Sequence, residues 1–310
     1  MSSRREFIRT TLLGTAGVAA WNFIPLEALA YKEVVKISIL HTNDVHSRID
    51  PFPLNDPKYP GMGGAARRAE IINQIRKEEE HVLLFDAGDI FQGTPYFNFY
   101  KGELELKLMS QMKYDAATIG NHDFDNGIEG LYKQLPNATF PFIISNYNFA
   151  DTVMYNKTTT HKIFERAGIK IGVFGLGIEL DGLVPKELYK NTIYLNPVTT
   201  ANEMSALLKN ELKCDVVICL SHLGYEYTTK KISDRVLAES TENIDIIIGG
   251  HTHTLLEKPT VALNIKGKDV LINQVGWAGI NLGKIDFYFE KNTKNKSAKS
   301  TVKNISHKQE

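Results

Sequence analysis

Gly120-Asn121-His122-Asp123-Phe124-Asp125 closes the short apolar run Ala116-Ala117-Thr118-Ile119. Asn121 offers a metal a neutral amide oxygen, His122 gives or takes a proton near neutral pH, and Asp125 lies close enough to orient that imidazole. The same arrangement, polar ligand types directly after an apolar run, recurs along the chain. Asp44-Val45-His46 follows 34–40, Gly88-Asp89 follows 82–86, Ser221-His222 follows 215–220, and Gly250-His251-Thr252-His253 follows 244–248. Asp44 and His46, at i and i+2 in an extended loop, are expected to point the same way. Histidine, carboxylate and amide without cysteine suit a borderline or harder divalent ion such as zinc, manganese, iron or cobalt. Asp44, His46, Asp89, Asn121, His222, His251 and His253 are too many ligands for one ion. If Asp89 bridges, each of two ions receives four, and two ions about 3.5–4 Å apart can clamp a phosphate ester.

Taken singly, each residue has a plainer reading: Asp44 and Asp89 as turn formers, His222 as a satisfied core-edge histidine, His251 and His253 as an exposed loop with a glycine hinge. Their joint placement at the ends of successive apolar runs favours a site. An apolar run that stops at glycine reads as a buried strand ending in a tight loop, and open α/β sheets place their sites at that edge.

The elements that must position these loops alternate. Strands are expected over 34–40, 82–86, 116–119 and 140–145, with helices over 64–80, 103–112 and 128–135 between them, which predicts a layered α/β domain. A hairpin over 161–166 and 169–175, turning at Ala167-Gly168, makes the sheets mixed. Helices follow over 199–212 and 231–240, strands over 215–220 and 244–248, and then a β-rich stretch over 260–265, 270–274 and 282–289. From Lys291 apolar residues nearly vanish, so 291–310 reads as a solvated, polar basic tail after a single domain over 31–290.

In 310 residues, 36 Lys and Arg balance 36 Asp and Glu, which excludes a broad basic surface for nucleic acid. Cys214 and Cys219 are the only cysteines. On one strand they would lie on opposite faces about 16 Å apart, beyond disulfide reach, and so are expected as buried free thiols. Arg4-Arg5 precedes an apolar stretch and then Ala28-Leu29-Ala30, so 1–30 resembles a twin-arginine export signal with the mature chain starting near Tyr31. The stretch is too short and broken to span about 30 Å of hydrocarbon. A periplasmic or secreted protein with no membrane span after signal removal is expected.

The set D-x-H, GD, GNHD, SH and GHTH, in this order over about 35–290, resembles the calcineurin-like metallophosphoesterases. Leu40-His41-Thr42-Asn43-Asp44-Val45-His46, Asp86-Ala87-Gly88-Asp89, GNHDFD, Gln274-Val275-Gly276 and Leu282-Gly283 point to the 5'-nucleotidase branch. The resemblance implies a four-layer α/β-β/α sandwich with mixed sheets, the metallo-dependent phosphatase fold. It also implies that Asp44, His46, Asp89 and His253 hold one divalent ion and Asp89, Asn121, His222 and His251 the other. His122 would face the substrate phosphate, with Asp125 as its partner. A hydroxide bridging the ions would attack phosphorus in line, releasing phosphate from a nucleotide. Asp123 stands where some relatives carry Glu and reads as a non-ligand variation; His253 stands where part of the family uses Gln. Relatives usually continue into a second domain that grips the base, so a separately encoded nucleotide-binding partner is one expectation. Hydrolysis of cyclic nucleotides, nucleotide-sugar pyrophosphates or sulfur-linked groups, and a metal-loaded structural subunit, are the alternatives.

Overall fold

The computed structural model describes residues 34–290 and 296–306, so the export-signal reading of 1–30 lies outside the described residues. The chain begins with β1 (Val34–Thr42), α1 (Ala65–Glu78), β2 (Val82–Asp86), α2 (Pro95–Tyr100), α3 (Glu103–Gln111), β3 (Ala116–Ala117) and α4 (Gly127–Gln134). It continues through β4 (Tyr147–Asn148), β5 (His161–Arg166), β6 (Ile169–Leu176), α5 (Lys186–Tyr189), β7 (Ile193–Tyr194) and α6 (Pro197–Ala206). Then come β8 (Val216–Ser221), α7 (Asp234–Ser240), β9 (Ile246–Gly249), β10 (Thr260–Leu263), β11 (Asp269–Asn273), β12 (Asn281–Glu290) and β13 (Lys296–Asn304).

One sheet has the order β13-β12-β1-β2-β3 and the other β10-β11-β9-β8-β6-β5. β1, β2 and β3 run parallel, as do β6, β8, β9 and β11, while β12, β13, β10 and β5 pair antiparallel, so both sheets are mixed. The two-residue alternation of a strand decides what lies on each face. Ile37, Ile39, Leu83 and Phe85 of the first sheet meet Ile171, Val173, Ile218, Leu220, Ile246 and Ile248 of the second in a central core. The intervening Leu40 and Leu84 face outward onto Ile72, Leu106, Met109, Ile128 and Leu131 of α1, α3 and α4. On the far side Val217, Cys219 and Ile247 meet Ala201, Leu237 and Ala238 of α6 and α7. Three cores separating four layers confirm the expected sandwich.

Both faces of the central strands are covered, which is why β8 and β9 are fully buried along their length. Capping sets the ends of the helices that cover them. Asn196 accepts from the amides of Val198 and Thr199 ahead of α6, and Ser233 accepts from Val236. The Ser233 cap explains why α7 starts at Asp234 rather than at 231 as expected.

Three expectations about the elements and the cysteines fail. The tail is not simply solvated: β13 pairs in register with β12, and Ile305 is buried in the outer core of the first sheet. A polar, lysine-rich sequence still supplies a full set of main-chain partners, and edge strands tolerate lysine. Residues 140–145 make only isolated bridges, Ala117 with Phe142 and Ile143 with Thr159, because β3 stops after Ala117 to enter the site loop. Cys214 and Cys219 are buried and free as expected, but both join the same outer core, since Cys214 precedes β8 and escapes its alternation.

Candidate metal centre

β1, β2, β3, β8 and β9 all run toward one end of the sandwich, and each hands its chain to a loop bearing the predicted residues. These loops are not extended, contrary to expectation. Asp44, His46, Asp89, His251 and His253 all have left-handed backbones, with φ of 49, 50, 56, 73 and 53°. Among side-chain-bearing residues Asp, Asn and His tolerate this region best, and the strain of such positions is concentrated at sites held by their surroundings. The curled backbone turns the side chains back over the strand ends. Glycine allows the loops to close: a Cβ on Gly88 would lie 2.7 Å from the Gly120 nitrogen, and one on Gly120 would lie 2.2 Å from Asp89 Oδ1.

The loops bring together two clusters, Asp44–His46–His253 and Asp89–His222–His251, whose ligand atoms within each cluster lie within 4.8 Å of one another. His46 Nε2 is 3.0 Å from His253 Nε2, and His253 Nε2 is 3.4 Å from Asp44 Oδ1. Asp89 reaches both groups, its Oδ2 lying 3.1 Å from His222 Nε2 and 3.8 Å from His46 Nε2. Asn121 Oδ1 is 2.8 Å from His251 Nδ1. All seven predicted ligands are therefore gathered at one place. Main-chain acceptors hold two of the imidazoles, Nδ1 of His222 on Ala87 O at 2.7 Å and Nδ1 of His46 on Phe91 O at 3.2 Å, which leaves each Nε2 facing the cluster.

The residues fit divalent ions on their own chemistry. His222 Nε2 is buried without a hydrogen bond, between Asp89 and Asp44. Burial opposes a charge on His222, but the Asp89 carboxylate outweighs it and lifts the imidazole to about 10. Asp89 is likewise opposed by burial and yet driven below the usual carboxylate range by His222 and then His46. A pocket that draws a proton so strongly onto an imidazole draws a dication for the same reason, and the two compete. Burial instead lowers His251 to about 4 and also lowers His46, keeping both neutral as ligands must be.

His122 stands beside this group, its ring centroid 5.2 Å from that of His46. Its main-chain amide donates to Asp89 Oδ1 at 2.8 Å, and its Nδ1–H donates to Asp125 Oδ2 at 2.9 Å. The Asp125 bond raises the His122 pKa despite partial burial. The ring is thus held by Nδ1 with its cationic form favoured, and among the described residues Nε2 has no hydrogen-bond partner.

The sequence showed Asp123 as a non-ligand variation and Asn43 and Gln274 as parts of motifs, but not that all three position ligands. Asp123 is buried, and its carboxylate accepts from the amides of Gly120, Asp89, Ile90 and Phe91, tying the Asn121 loop to the Asp89 loop. Burial, then the charge of Asp89, pushes it up to about 7. Asn43 accepts from Val275 N and donates to Gly276 O and Asp44 Oδ2. Gln274 donates to Gly250 O and accepts from Thr252 Oγ1. For Asp123 and Asn43 the signal was a polar residue close to a ligand in a sharply turning loop; Gln274 stands near no ligand in sequence, and only folding brings it to Gly250 and Thr252.

A family model described as calcineurin-like phosphoesterase matches residues 37–255. Snake venom 5'-nucleotidase of Crotalus adamanteus is 34% identical over 232 residues, covering 71% of this chain and 37% of that protein. The 5'-nucleotidase of Bos taurus is 33% identical over 259 residues, 78% of this chain and 43% of its own length. The chain thus spans less than half the length of these relatives. Among solved structures, a 5'-nucleotidase precursor from Thermus thermophilus superimposes with a TM-score of 0.78 at 28% identity, over 87% of this chain and 55% of that one. The calcineurin-like phosphoesterase YfkN from Bacillus subtilis gives 0.71 at 29% identity, over 88% and 92%.

Proposed function

Because this chain belongs to the calcineurin-like phosphoesterase family, we propose that it is a metal-dependent phosphoric ester hydrolase of the 5'-nucleotidase type. One observation carries the reading: six ligand-type side chains from four strand ends form two clusters, Asn121 from a fifth strand end touches His251, and the His122–Asp125 pair stands at their edge. Asp44, His46, Asp89 and His253 would hold one divalent ion, and Asp89, Asn121, His222 and His251 the other. Ions held there supply Lewis acidity, neutralising charge on phosphoryl oxygens and lowering the pKa of water. His122, cationic through its bond to Asp125, donates a proton from Nε2 to the leaving alkoxide, a role typically worth about 10²–10⁴-fold. Asp125 holds the ring and its Nδ1 proton. Asp123 keeps the Asp89 backbone in its left-handed turn, so that one carboxylate reaches both clusters.

The names of the relatives support a nucleoside 5'-monophosphate as substrate, and Arg4-Arg5 with the following apolar stretch supports export beyond the cytoplasmic membrane. Among the described residues no helix is long and apolar enough to cross a membrane. The test is a comparison of kcat/KM for a nucleoside monophosphate, a cyclic nucleotide and a nucleotide sugar, with metal content measured on the same preparation. Preference for the monophosphate with two ions per chain is expected. Preference for either of the others, or activity undiminished by chelation to below one ion, would overturn the proposal.

A further inference from the structure

His253 is the odd member of the two clusters. His46 and His222 each have Nδ1 hydrogen-bonded to a main-chain oxygen, and His251 has Nδ1 against Asn121. Among the described residues, His253 has ring-nitrogen partners only at Nε2, namely His46 and Asp44. Its side chain is 40% exposed and its backbone is left-handed at φ 53°, so neither burial nor a second hydrogen bond fixes the ring. What does lie against it is Trp277, stacked at 5.6 Å between centroids and 6° from parallel. Trp277 is itself wedged edge-on against Phe52 and Tyr59, at 6.0 and 6.2 Å.

The segment carrying Trp277 is tied to both metal loops. Ala278 N donates to Asp44 O at 2.7 Å, Gly276 N donates to Thr254 O at 2.9 Å, and Asn43 Nδ2 donates to Gly276 O at 2.6 Å. The indole therefore moves with the loops that carry Asp44 and His253, and its face sets the plane in which the imidazole lies. A metal-bound histidine usually has its orientation fixed by a hydrogen bond at the other nitrogen, and losing such support costs about 10–100-fold in metal affinity.

We propose that Trp277 is the positioning residue for His253: its stacked ring takes the place of the missing hydrogen bond and sets the affinity of the Asp44–His46–His253 cluster for its ion. The inference rests on the two-ion reading above. It assigns Trp277 no role in the Asp89–His222–His251 cluster, where His222 has its main-chain acceptor and His251 packs edge-on against His222.

The test is competitive chelator titration, with metal analysis, on the full chain carrying Trp277→Phe, Trp277→Leu or Trp277→Ala. Phenylalanine retains a flat face, leucine fills the space between Phe52 and Tyr59 without one, and a common thermal midpoint for the Phe and Leu variants in excess chelator, where metal linkage is absent, establishes that both are folded. Two ions are expected in wild type and in Trp277→Phe with similar affinities. In Trp277→Leu and Trp277→Ala one ion should bind about tenfold or more weakly while the other is unchanged. Wild-type affinity for both ions in Trp277→Leu, or equal weakening of both, would overturn the role of stacking. Should wild type itself bind fewer than two ions, the two-ion function would fall, an outcome distinct from any change confined to the variants.

Discussion

Asp123→Asn tests whether one buried carboxylate holds the site together. Oδ1 accepts from Ile90 N at 2.9 Å and Phe91 N at 3.1 Å, and Oδ2 accepts from Gly120 N at 2.8 Å and Asp89 N at 3.1 Å. Asparagine matches the shape but keeps one acceptor oxygen and turns the other into an amino group facing two donors. Two buried amides are orphaned, each at about 1–3 kcal/mol, so the loss is roughly 2–6 kcal/mol. Against a stability of about 5–15 kcal/mol that is a large fraction. With a urea m-value near 3 kcal/mol/M the midpoint should fall by about 0.7–2 M. The measurement is urea unfolding at pH 8, above the value of about 7 to which Asp123 is pushed, so that the wild-type carboxylate is ionised. Metal affinity measured in parallel should fall as well, because the Asp89 backbone loses its anchor. A loss below about 1 kcal/mol with unchanged metal content would refute the assignment of Asp123 as the clamp between the two loops.

His122→Ala should keep both ions and lose at least about a hundredfold in turnover; metal analysis finding less than one ion per chain would make His122 a ligand instead. Asp125→Asn removes the largest influence raising the His122 pKa, so the alkaline limb of the kcat profile should move to lower pH, and an unmoved limb would deny His122 the acid role. Asp89→Asn should weaken both ions, since an amide bridges poorly, and should lower the thermal midpoint through lost linkage; full occupancy would mean that Asp89 does not bridge. Burial pushes Asp234 up to about 8, with Oδ1 on Ser221 Oγ and Oδ2 unpartnered. A carboxyl raised above its unfolded value favours folding fully below about pH 4 and loses that contribution as pH climbs to about 8. Calorimetry should therefore show a fall in wild-type midpoint across this window that Asp234→Asn flattens, and parallel slopes would count against it.

Residue type and local period were enough to identify the seven ligand types, the His122–Asp125 pair and most of the strands and helices. A strand announces itself by alternation and its end by glycine, and both are properties of a few neighbouring residues. The family motif implied, by the same local logic, how these residues divide between two ions. Tertiary structure alone decided how these pieces act on one another. The left-handed turns at Asp44, His46, Asp89, His251 and His253 exist because distant groups hold them: the His251 amide donates to Asp44 Oδ1, 207 positions away in sequence. The clamp at Asp123 and the stacking of Trp277 on His253 join loops in the same way. β13 read as tail because its pairing with β12 uses main-chain groups, which every sequence carries and no side-chain pattern reveals. Cys214 faces the same core as Cys219 because it sits just before β8, where the two-residue alternation has not begun. Local patterns record what a residue prefers; these features depend on which remote residue meets it after folding.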